Sequence, residues 1–275
     1  NSLEALIKWE PATRGQQTYT AQCIVYGPVG QVCRAAQRQT RKRKGPAVTD
    51  ARDWASLTVS TAYDAVGRRG LLQHGISRSI PSARAVGRAR TVLCAQDDNL
   101  GVHIALDELQ PGEILVATMP EPRPVAIVGE VLAHFAKAKG AAGLLIDAAV
   151  RDLDELMLLG LPIWSRWVTS SGAKKADPGS HNVPVTVAGE VIEPRDLLLL
   201  DGDGILRIEP GDEQEALTEA TSRVAKEEKL IQELLGGKST LDLLNLRSIA
   251  NSFDQEDQLQ NPDQEDSEPQ TASSD

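Results

Sequence analysis

The residues best suited to chemistry in this sequence are Glu130, Arg151 and Asp152. Asp152 offers carboxylate oxygens, which a hard divalent cation such as Mg²⁺ prefers, and Glu130 could hold the water ligands of that cation. Arg151 offers a two-pronged donor for a carboxylate. Together these groups suit an anionic oxo acid chelated to a metal. For an Arg-Asp pair taken alone, the alternative is a helix-capping aspartate with a surface salt bridge.

Two predicted elements position these side chains. A helix begins near Glu130, because apolar residues recur there at helical spacing. These residues are Val131, Leu132, Phe135 and Ala136. A buried strand follows over 144–146, and Arg151 and Asp152 come just past its carboxyl end, where open α/β sheets gather their ligands.

The start of this helix predicts further donors. Its unpaired backbone N–H groups and partial positive charge can hold a carboxylate, and Gly129 lets that carboxylate come close. We therefore expect the substrate to contact Gly129, Glu130, Val131, Leu132 and Arg151.

The stretch GEVLAHFAKAKGAAGLLIDAAVRDLDEL resembles the signature of the RraA-like family. That family includes the class II 4-hydroxy-4-methyl-2-oxoglutarate (4-carboxy-4-hydroxy-2-oxoadipate) aldolases and related oxaloacetate decarboxylases. Its pattern is an acidic residue, twenty intervening residues and then Arg-Asp, which Glu130 and Arg151-Asp152 fit. The resemblance extends from about Leu57 to Leu246. It implies an α/β/α sandwich with a mixed sheet, in a ring-forming homotrimer or dimer of trimers with active sites between subunits.

The resemblance also implies a reaction, in which a divalent metal assists the retro-aldol cleavage of a 4-hydroxy-2-oxo dicarboxylic or tricarboxylic acid to pyruvate. Oxaloacetate decarboxylation could use the same site. Asp152 would bind Mg²⁺ or Mn²⁺ directly, while Glu130 and a neighbouring subunit's Glu227 would hold metal-bound waters. Arg151 would anchor the substrate carboxylate. From the residues alone, Glu227 is a solvated glutamate in an i to i+4 pair on a helix face.

Two non-enzymatic alternatives stay open. The fold includes regulators that bind and inhibit a ribonuclease, and such a protein would not need a metal clamp. The clamp of Glu130, Arg151 and Asp152 therefore favours the enzyme. A scaffold is the other alternative, for which the charged termini are the only hints.

Composition predicts three segments: a flexible N-terminal arm over 1–53, an RraA-like domain over 54–250 and an acidic disordered tail over 251–275. Of a net charge of −10, the tail contributes eight acidic side chains and no basic one, with few apolar groups to bury. The basic run over 41–44 lacks interleaved aromatic residues, and the rest of the protein is acidic. We therefore favour a flexible arm over a nucleic-acid or targeting patch.

The cysteine pattern and the hydropathy predict a cytoplasmic protein. Cys23, Cys33 and Cys94 form no CxxC motif, so we interpret them as free thiols in a reducing compartment, with a Cys23–Cys33 bridge as the alternative. No apolar run approaches the roughly 20 residues of a membrane span, and the first residues lack the layout of a signal peptide.

Other patterns predict the remaining elements. Strands are expected over 85–95 and 113–117, and helices over 57–66, 99–109 and 213–235. Asp201-Gly202-Asp203-Gly204 predicts a hairpin turn rather than a calcium loop. The last helix should bury a stripe of Ala216, Ala220, Val224, Ile231, Leu234 and Leu235. His103 is expected near the site without contacting the substrate.

Overall fold

The computed structural model describes residues 5–11, 19–25, 48–72 and 75–252. The chain divides into two compact units, Asn1–Lys44 and Gly45–Asp275. In the first unit the structure describes an antiparallel pair of strands, β1 (Ala5–Pro11) and β2 (Tyr19–Val25). The basic run over 41–44, Cys33 and the tail from residue 253 lie outside the described residues.

The second unit is organised around a mixed sheet. Its strands are β3 (Ser77–Arg78), β4 (Ala85–Leu93), β5 (Glu113–Thr118), β6 (Ala126–Val128), β7 (Gly143–Val150), β8 (Ile163–Val168), β9 (Ser180–His181), β10 (Val185–Val187), β11 (Glu190–Ile192), β12 (Leu197–Leu200) and β13 (Ile205–Ile208). Among the described residues, nine strands form one sheet in the order β13-β12-β4-β5-β7-β8-β3, with β6 beside β7 and β9 beside β4. Strands β4 to β8 run parallel to their neighbours, whereas β3, β9, β12 and β13 pair antiparallel. This arrangement confirms the predicted α/β class.

Helices cover both faces of the sheet. They are α1 (Val59–Ala65), α2 (Leu100–Asp107), α3 (Glu130–Ala138), α4 (Leu153–Leu159), α5 (Glu213–Leu235) and α6 (Thr240–Leu243). Leu198 and Leu200 of β12 join the apolar core under α2, α3 and α4. Leu197 and Leu199 point the other way, into a second core under α1 and α5. Alternate residues of a strand face opposite sides, so β12 is buried on both.

A buried polar clamp fastens residues 48–54 to this second core. The Glu213 carboxylate is fully buried and accepts hydrogen bonds from Thr49 N at 2.9 Å and Thr49 Oγ1 at 2.8 Å. The Arg88 guanidinium bonds the same carboxylate through two nitrogens. Trp54 Nε1 donates to Thr49 Oγ1 at 2.9 Å. The clamp therefore joins the described start of this unit to β4 and to the first turn of α5.

The apolar faces predicted for two helices, α3 and α5, are buried only in part. On α3, Leu132 and Ala136 are buried, but Val131 is 79% exposed. On α5, Ala216 and Ala220 are buried, whereas Leu235 is 78% exposed. Helical spacing shows that such residues share a face. Among the described residues, however, no side chain covers the outer part of either face.

The remaining predictions for this unit can be checked directly. The hairpin turn over 201–204 is confirmed, because it joins the antiparallel strands β12 and β13. Cys94 is a buried free thiol whose pKa is raised to about 12 by burial and by the charge of Asp98. Within the described residues, the structure contains no helix with the length and apolar character needed to cross a membrane.

Candidate active site

The candidate site lies where β6 and β7 end. The two strands run parallel and Val128 pairs with Val150, so Gly129 and Arg151 leave the sheet side by side. Arg151 N donates to Val128 O at 3.1 Å, which fixes the two chain segments together. The prediction that Glu130 starts a helix and that Arg151-Asp152 follow a strand is confirmed.

Asp152 has a backbone conformation that directs its carboxylate to a neighbouring helix. Its φ of 59° is left-handed, which aspartate and asparagine tolerate better than most residues. It stands at the N-cap of α4 without capping that helix. Instead, Oδ2 accepts a hydrogen bond from Glu130 N, the first residue of α3, at 3.0 Å. The start of α3 thus holds one oxygen of a protein carboxylate.

That contact changes which donors remain for a ligand. Glu130 N is already bonded to Asp152. The N–H groups of Val131 and Leu132 lie in the first turn of α3, where no intrahelical acceptor is available. These two donors, rather than the whole stretch from Gly129, are therefore the ones that α3 can offer to a bound carboxylate.

Arg151 lies between Asp152 and a loop that follows β8. Its Nε is 3.5 Å from Asp152 Oδ2, and its side chain is half exposed. The loop is anchored to β6, since Ala126 N donates to Ser171 O at 2.7 Å. A methyl group on Gly172 would come within 3.1 Å of Arg151 Nη1. The loop thus contacts the outer end of the guanidinium.

The backbone N–H of Glu130 contacts Asp152, but the side-chain carboxylate of Glu130 lies near His134 instead. Its Oε1 lies 3.7 Å from His134 Nε2, one turn along α3.

Glu227 is on α5 and accepts a hydrogen bond from Arg223 Nε at 3.0 Å, while Arg223 also pairs with Asp64 of α1 at 2.7 Å. Glu227 therefore lies half-exposed on α5, paired with an arginine that also contacts α1.

A single chain offers few metal ligands at this place. Within the described ranges, no group of three or more His, Cys, Asp or Glu side chains is arranged to hold a metal ion. Asp152 does meet the requirement for one ligand, because its carboxylate is partly exposed and held by a neutral donor. Mg²⁺ commonly takes only one or two protein carboxylates and keeps several waters. The donor set therefore fits a water-rich Mg²⁺ or Mn²⁺ site.

Asn99 is a residue near the site whose role the sequence does not reveal. It precedes α2 but does not cap it; Nδ2 donates instead to Ile127 O in β6 at 3.0 Å. Its Oδ1 is buried and, among the described residues, has no hydrogen-bond partner. His103, one turn further along α2, has its pKa lowered by burial and by Lys175, which favours the neutral ring. Asn99 thus ties α2 to the strand that ends at Gly129.

Gly129 is tightly enclosed by the candidate site, which leads to a first prediction. A methyl group there would lie 2.5 Å from Asp152 Oδ2 and 2.9 Å from Arg151 Cγ. Because the φ of Gly129 is an ordinary extended value, Gly129→Ala should fold yet displace both side chains. We expect Gly129→Ala to lower kcat/KM for the reaction at this site roughly 100-fold, as misplacement by about 1 Å can do.

The matched control is Gly236→Ala, after α5, where the nearest atom is Glu233 O at 3.3 Å. Its kcat/KM should equal that of the unmodified protein. Full activity in Gly129→Ala would mean that the contact between Gly129 and Asp152 does not matter for catalysis.

The chain resembles named enzymes and a named regulator. It is 37% identical over 145 residues to a Halalkalibacterium halodurans protein provisionally named 4-hydroxy-4-methyl-2-oxoglutarate aldolase, covering 53% of this chain and 69% of that one. It is 34% identical over 124 residues to the Thermus thermophilus 4-hydroxy-4-methyl-2-oxoglutarate aldolase, covering 45% and 75%. Streptomyces coelicolor RraAS2, described as an unusual member of the RNase ES inhibitor RraA family, superposes with a TM-score of 0.58 at 28% identity, covering 65% and 93%. The RraA-like family, described as Aldolase/RraA, matches residues 46–207, and this chain belongs to that family.

Proposed function

We propose that this protein is a metal-dependent lyase that cleaves a 4-hydroxy-2-oxo acid to release pyruvate. The observation that carries the proposal is the Asp152 carboxylate, held by Glu130 N at 3.0 Å and placed beside Arg151. The relatives named as aldolases support the same reaction class. Decarboxylation of oxaloacetate, which also yields pyruvate, is the second reaction that we expect from this site.

Arg151 and the start of α3 would both contribute donors to substrate binding. Arg151 offers a fixed pair of donors to the 2-oxo acid carboxylate. The free N–H groups of Val131 and Leu132 add neutral donors at the positive end of α3. Because these groups are attached to rigid elements, they would hold the substrate in one orientation, which lowers the entropic part of the barrier.

Asp152 would be the direct ligand of Mg²⁺ or Mn²⁺, with Glu130 hydrogen-bonded to its waters. When bound, such a cation supplies Lewis-acid catalysis by withdrawing electrons from the keto group. The hydrogen bond from Glu130 N engages one oxygen of Asp152, whose side chain stays partly exposed. The neutral donor leaves the negative charge of Asp152 in place for a cation.

We further propose that a second copy of the chain completes the site. Val131, in the first turn of α3, is 79% exposed, and Leu158, near the end of α4, is 89% exposed. Large apolar side chains that are exposed in this way are typical of a protein interface. A neighbouring subunit in a trimer, or in a dimer of trimers, could cover them and bring its Glu227 to the metal waters. This arrangement would supply a third carboxylate, which the described residues of a single chain do not place at this site.

A non-catalytic regulator is the second candidate. The same exposed apolar residues could contact a ribonuclease or another protein, and the similarity to RraAS2 supports that interpretation. Catalysis separates the two candidates, because a regulator has no need to release pyruvate.

The deciding experiment is a coupled pyruvate assay. The substrates are 4-hydroxy-4-methyl-2-oxoglutarate, 4-carboxy-4-hydroxy-2-oxoadipate and oxaloacetate, each with Mg²⁺, with Mn²⁺ and with excess EDTA. We expect turnover with at least one substrate, loss of turnover with EDTA and recovery when metal is restored. Absence of turnover with all three substrates in both metals would favour the regulator.

A further inference from the structure

A cavity of about 610 Å³ lies at the edge of the sheet opposite to the candidate active site. It is lined by residues from the segment 48–59, the start of β4, the turn before β5 and the strand β12. The candidate active site follows the carboxyl ends of β6 and β7, whereas this cavity borders the amino ends of β4 and β5. Its volume is in the range of pockets that bind small molecules. We refer to it below as the β4 cavity.

The floor of the β4 cavity is apolar. Leu57, Val59 and Leu199 line it and also belong to the buried core under α1 and α5. Alternation along β4 places Arg84, Val86 and Arg88 on that same face. A ligand in this cavity would therefore lie on aliphatic side chains with arginines at its edge.

The acidic side chains in the wall are already engaged within the chain. Asp50 pairs with Arg52, and Glu113 accepts from Arg90 Nε at 3.0 Å. Asp201 Oδ2 accepts from Val59 N at 2.9 Å. Asp50 and Glu113 are therefore already paired with arginines, whereas Asp201, among the described residues, accepts hydrogen bonds only from backbone N–H groups and keeps its charge.

Two arginines of the wall have exposed side chains with few hydrogen bonds to other described residues. The Arg84 guanidinium donates one hydrogen bond, to Leu57 O at 2.8 Å. Neither Arg84 nor Arg195 forms an ion pair with any carboxylate in the part of the chain that the structure describes. Arg88, by contrast, is bound to Glu213. Arg84 and Arg195 therefore remain able to bind an anion.

Arg195 is also in a backbone conformation that a glycine would adopt more easily. Its φ is 71°, and Asp196 N bonds Glu193 O at 3.1 Å to close a four-residue turn. Pro194 precedes it, and in such a turn the residue after proline has positive φ and is usually glycine. A strained residue that lines a cavity suggests a function for its side chain. Here that side chain is an unpaired guanidinium.

The backbones of the two arginines lie apart along the line of β4. Arg195 N bonds Ala89 O, so Arg195 lies five residues along β4 from Arg84. At about 3.3 Å per residue, their backbones are on the order of 16 Å apart along the strand. We propose that the β4 cavity binds an elongated aliphatic anion, with one acidic group at Arg84, the other at Arg195 and the chain between them on the apolar floor.

The test uses the full chain and α,ω-dicarboxylates of increasing length, namely succinate, suberate and sebacate, in isothermal titration calorimetry. Affinity should rise along this series, and sebacate should bind roughly tenfold more tightly than decanoate, which has one carboxylate for the same chain length. Equal binding of sebacate and decanoate, or absence of sebacate binding, would overturn the proposal.

Matched variants locate the binding. Arg195→Gly should lower sebacate affinity roughly tenfold without lowering Tm, because glycine suits the positive φ. Arg68→Gly is the control, since Arg68 also has positive φ, 59°, but pairs with Asp64 outside the cavity. It should leave affinity unchanged. Arg84→Met should weaken sebacate binding as Arg195→Gly does, and Arg151→Ala should not; the opposite pattern would assign sebacate to the candidate active site instead.

Discussion

Replacing Asp152 by asparagine should reduce kcat/KM for metal-dependent pyruvate release roughly 1000-fold or more. Asparagine tolerates the left-handed backbone of residue 152, where φ is 59°, and its side-chain oxygen can still accept from Glu130 N. The substitution therefore removes the negative charge and little else. The expected size follows from the several kcal/mol that Lewis-acid stabilisation contributes to such reactions.

The control for this variant is Asp154→Asn, two residues further along, in the exposed first turn of α4. It makes the same change of charge near the site and should keep activity within about a factor of two, as expected for a surface substitution. Both variants should retain the unmodified Tm. Undiminished turnover in Asp152→Asn would remove the metal assignment.

A mixing experiment extends this result to the proposed subunit contact. If Glu227 acts across the interface, Asp152→Asn and Glu227→Gln chains are each inactive alone, but mixed oligomers contain some sites in which both carboxylates are intact. Activity should then reappear after co-refolding of the two variants. Failure to recover activity, with mixed oligomers demonstrated by mass spectrometry, would place Glu227 outside the site.

Glu213→Ala should lower the free energy of unfolding by about 3–5 kcal/mol, as for one partner removed from a buried ion pair. Glu213 is fully buried, and the Arg88 side chain that it neutralises is 12% exposed. The substitution also leaves Thr49 N and Thr49 Oγ1 without their acceptor. Urea denaturation at pH 7 measures the effect.

Glu215→Ala is the matched control, because Glu215 is exposed in the same first turn of α5. Its free energy of unfolding should change by no more than about 0.5 kcal/mol. A similar small change in Glu213→Ala would mean that residues 48–54 are not held by this clamp.

The pH dependence of stability offers an independent check on Glu213. Burial alone would raise its pKa, but hydrogen bonds from Arg88 and Thr49 outweigh burial and lower the pKa below the ordinary 4.5. A carboxylate whose pKa is lower in the folded than in the unfolded protein stabilises the fold at pH values above its unfolded pKa. This stabilisation is lost as the pH falls below about 4.5. Glu213→Gln should therefore flatten this acidic limb, and an unchanged limb would contradict the assignment.

Much of the candidate site could be predicted because it depends on local order. Gly129 and Glu130 begin a helix, and Arg151 and Asp152 follow a buried strand, so their placement at one edge of the sheet follows from the pattern. The hydrogen bond between Asp152 and Glu130 N could not be predicted, because it depends on the left-handed backbone of residue 152.

Other features depend on contacts between distant parts of the chain. Helical spacing groups Val131 with Leu132 but does not say which residue meets the core, and the structure exposes the first. Thr49 meets Glu213 across 164 positions, so its clamp leaves no local pattern in the sequence. Because this contact is invisible in the local sequence, the composition assigns residues 48–53 to the N-terminal arm.

The separation of the clamp partners has a consequence for synthesis of the protein in the cell. Arg88 and Glu213 are 125 residues apart, and translation adds on the order of ten residues each second. On the order of ten seconds therefore pass between the appearance of the guanidinium on the ribosome and that of its carboxylate. During that interval β4 carries an unpaired cation on a face that will later be buried, so this half of the domain can mature only when α5 has left the exit tunnel.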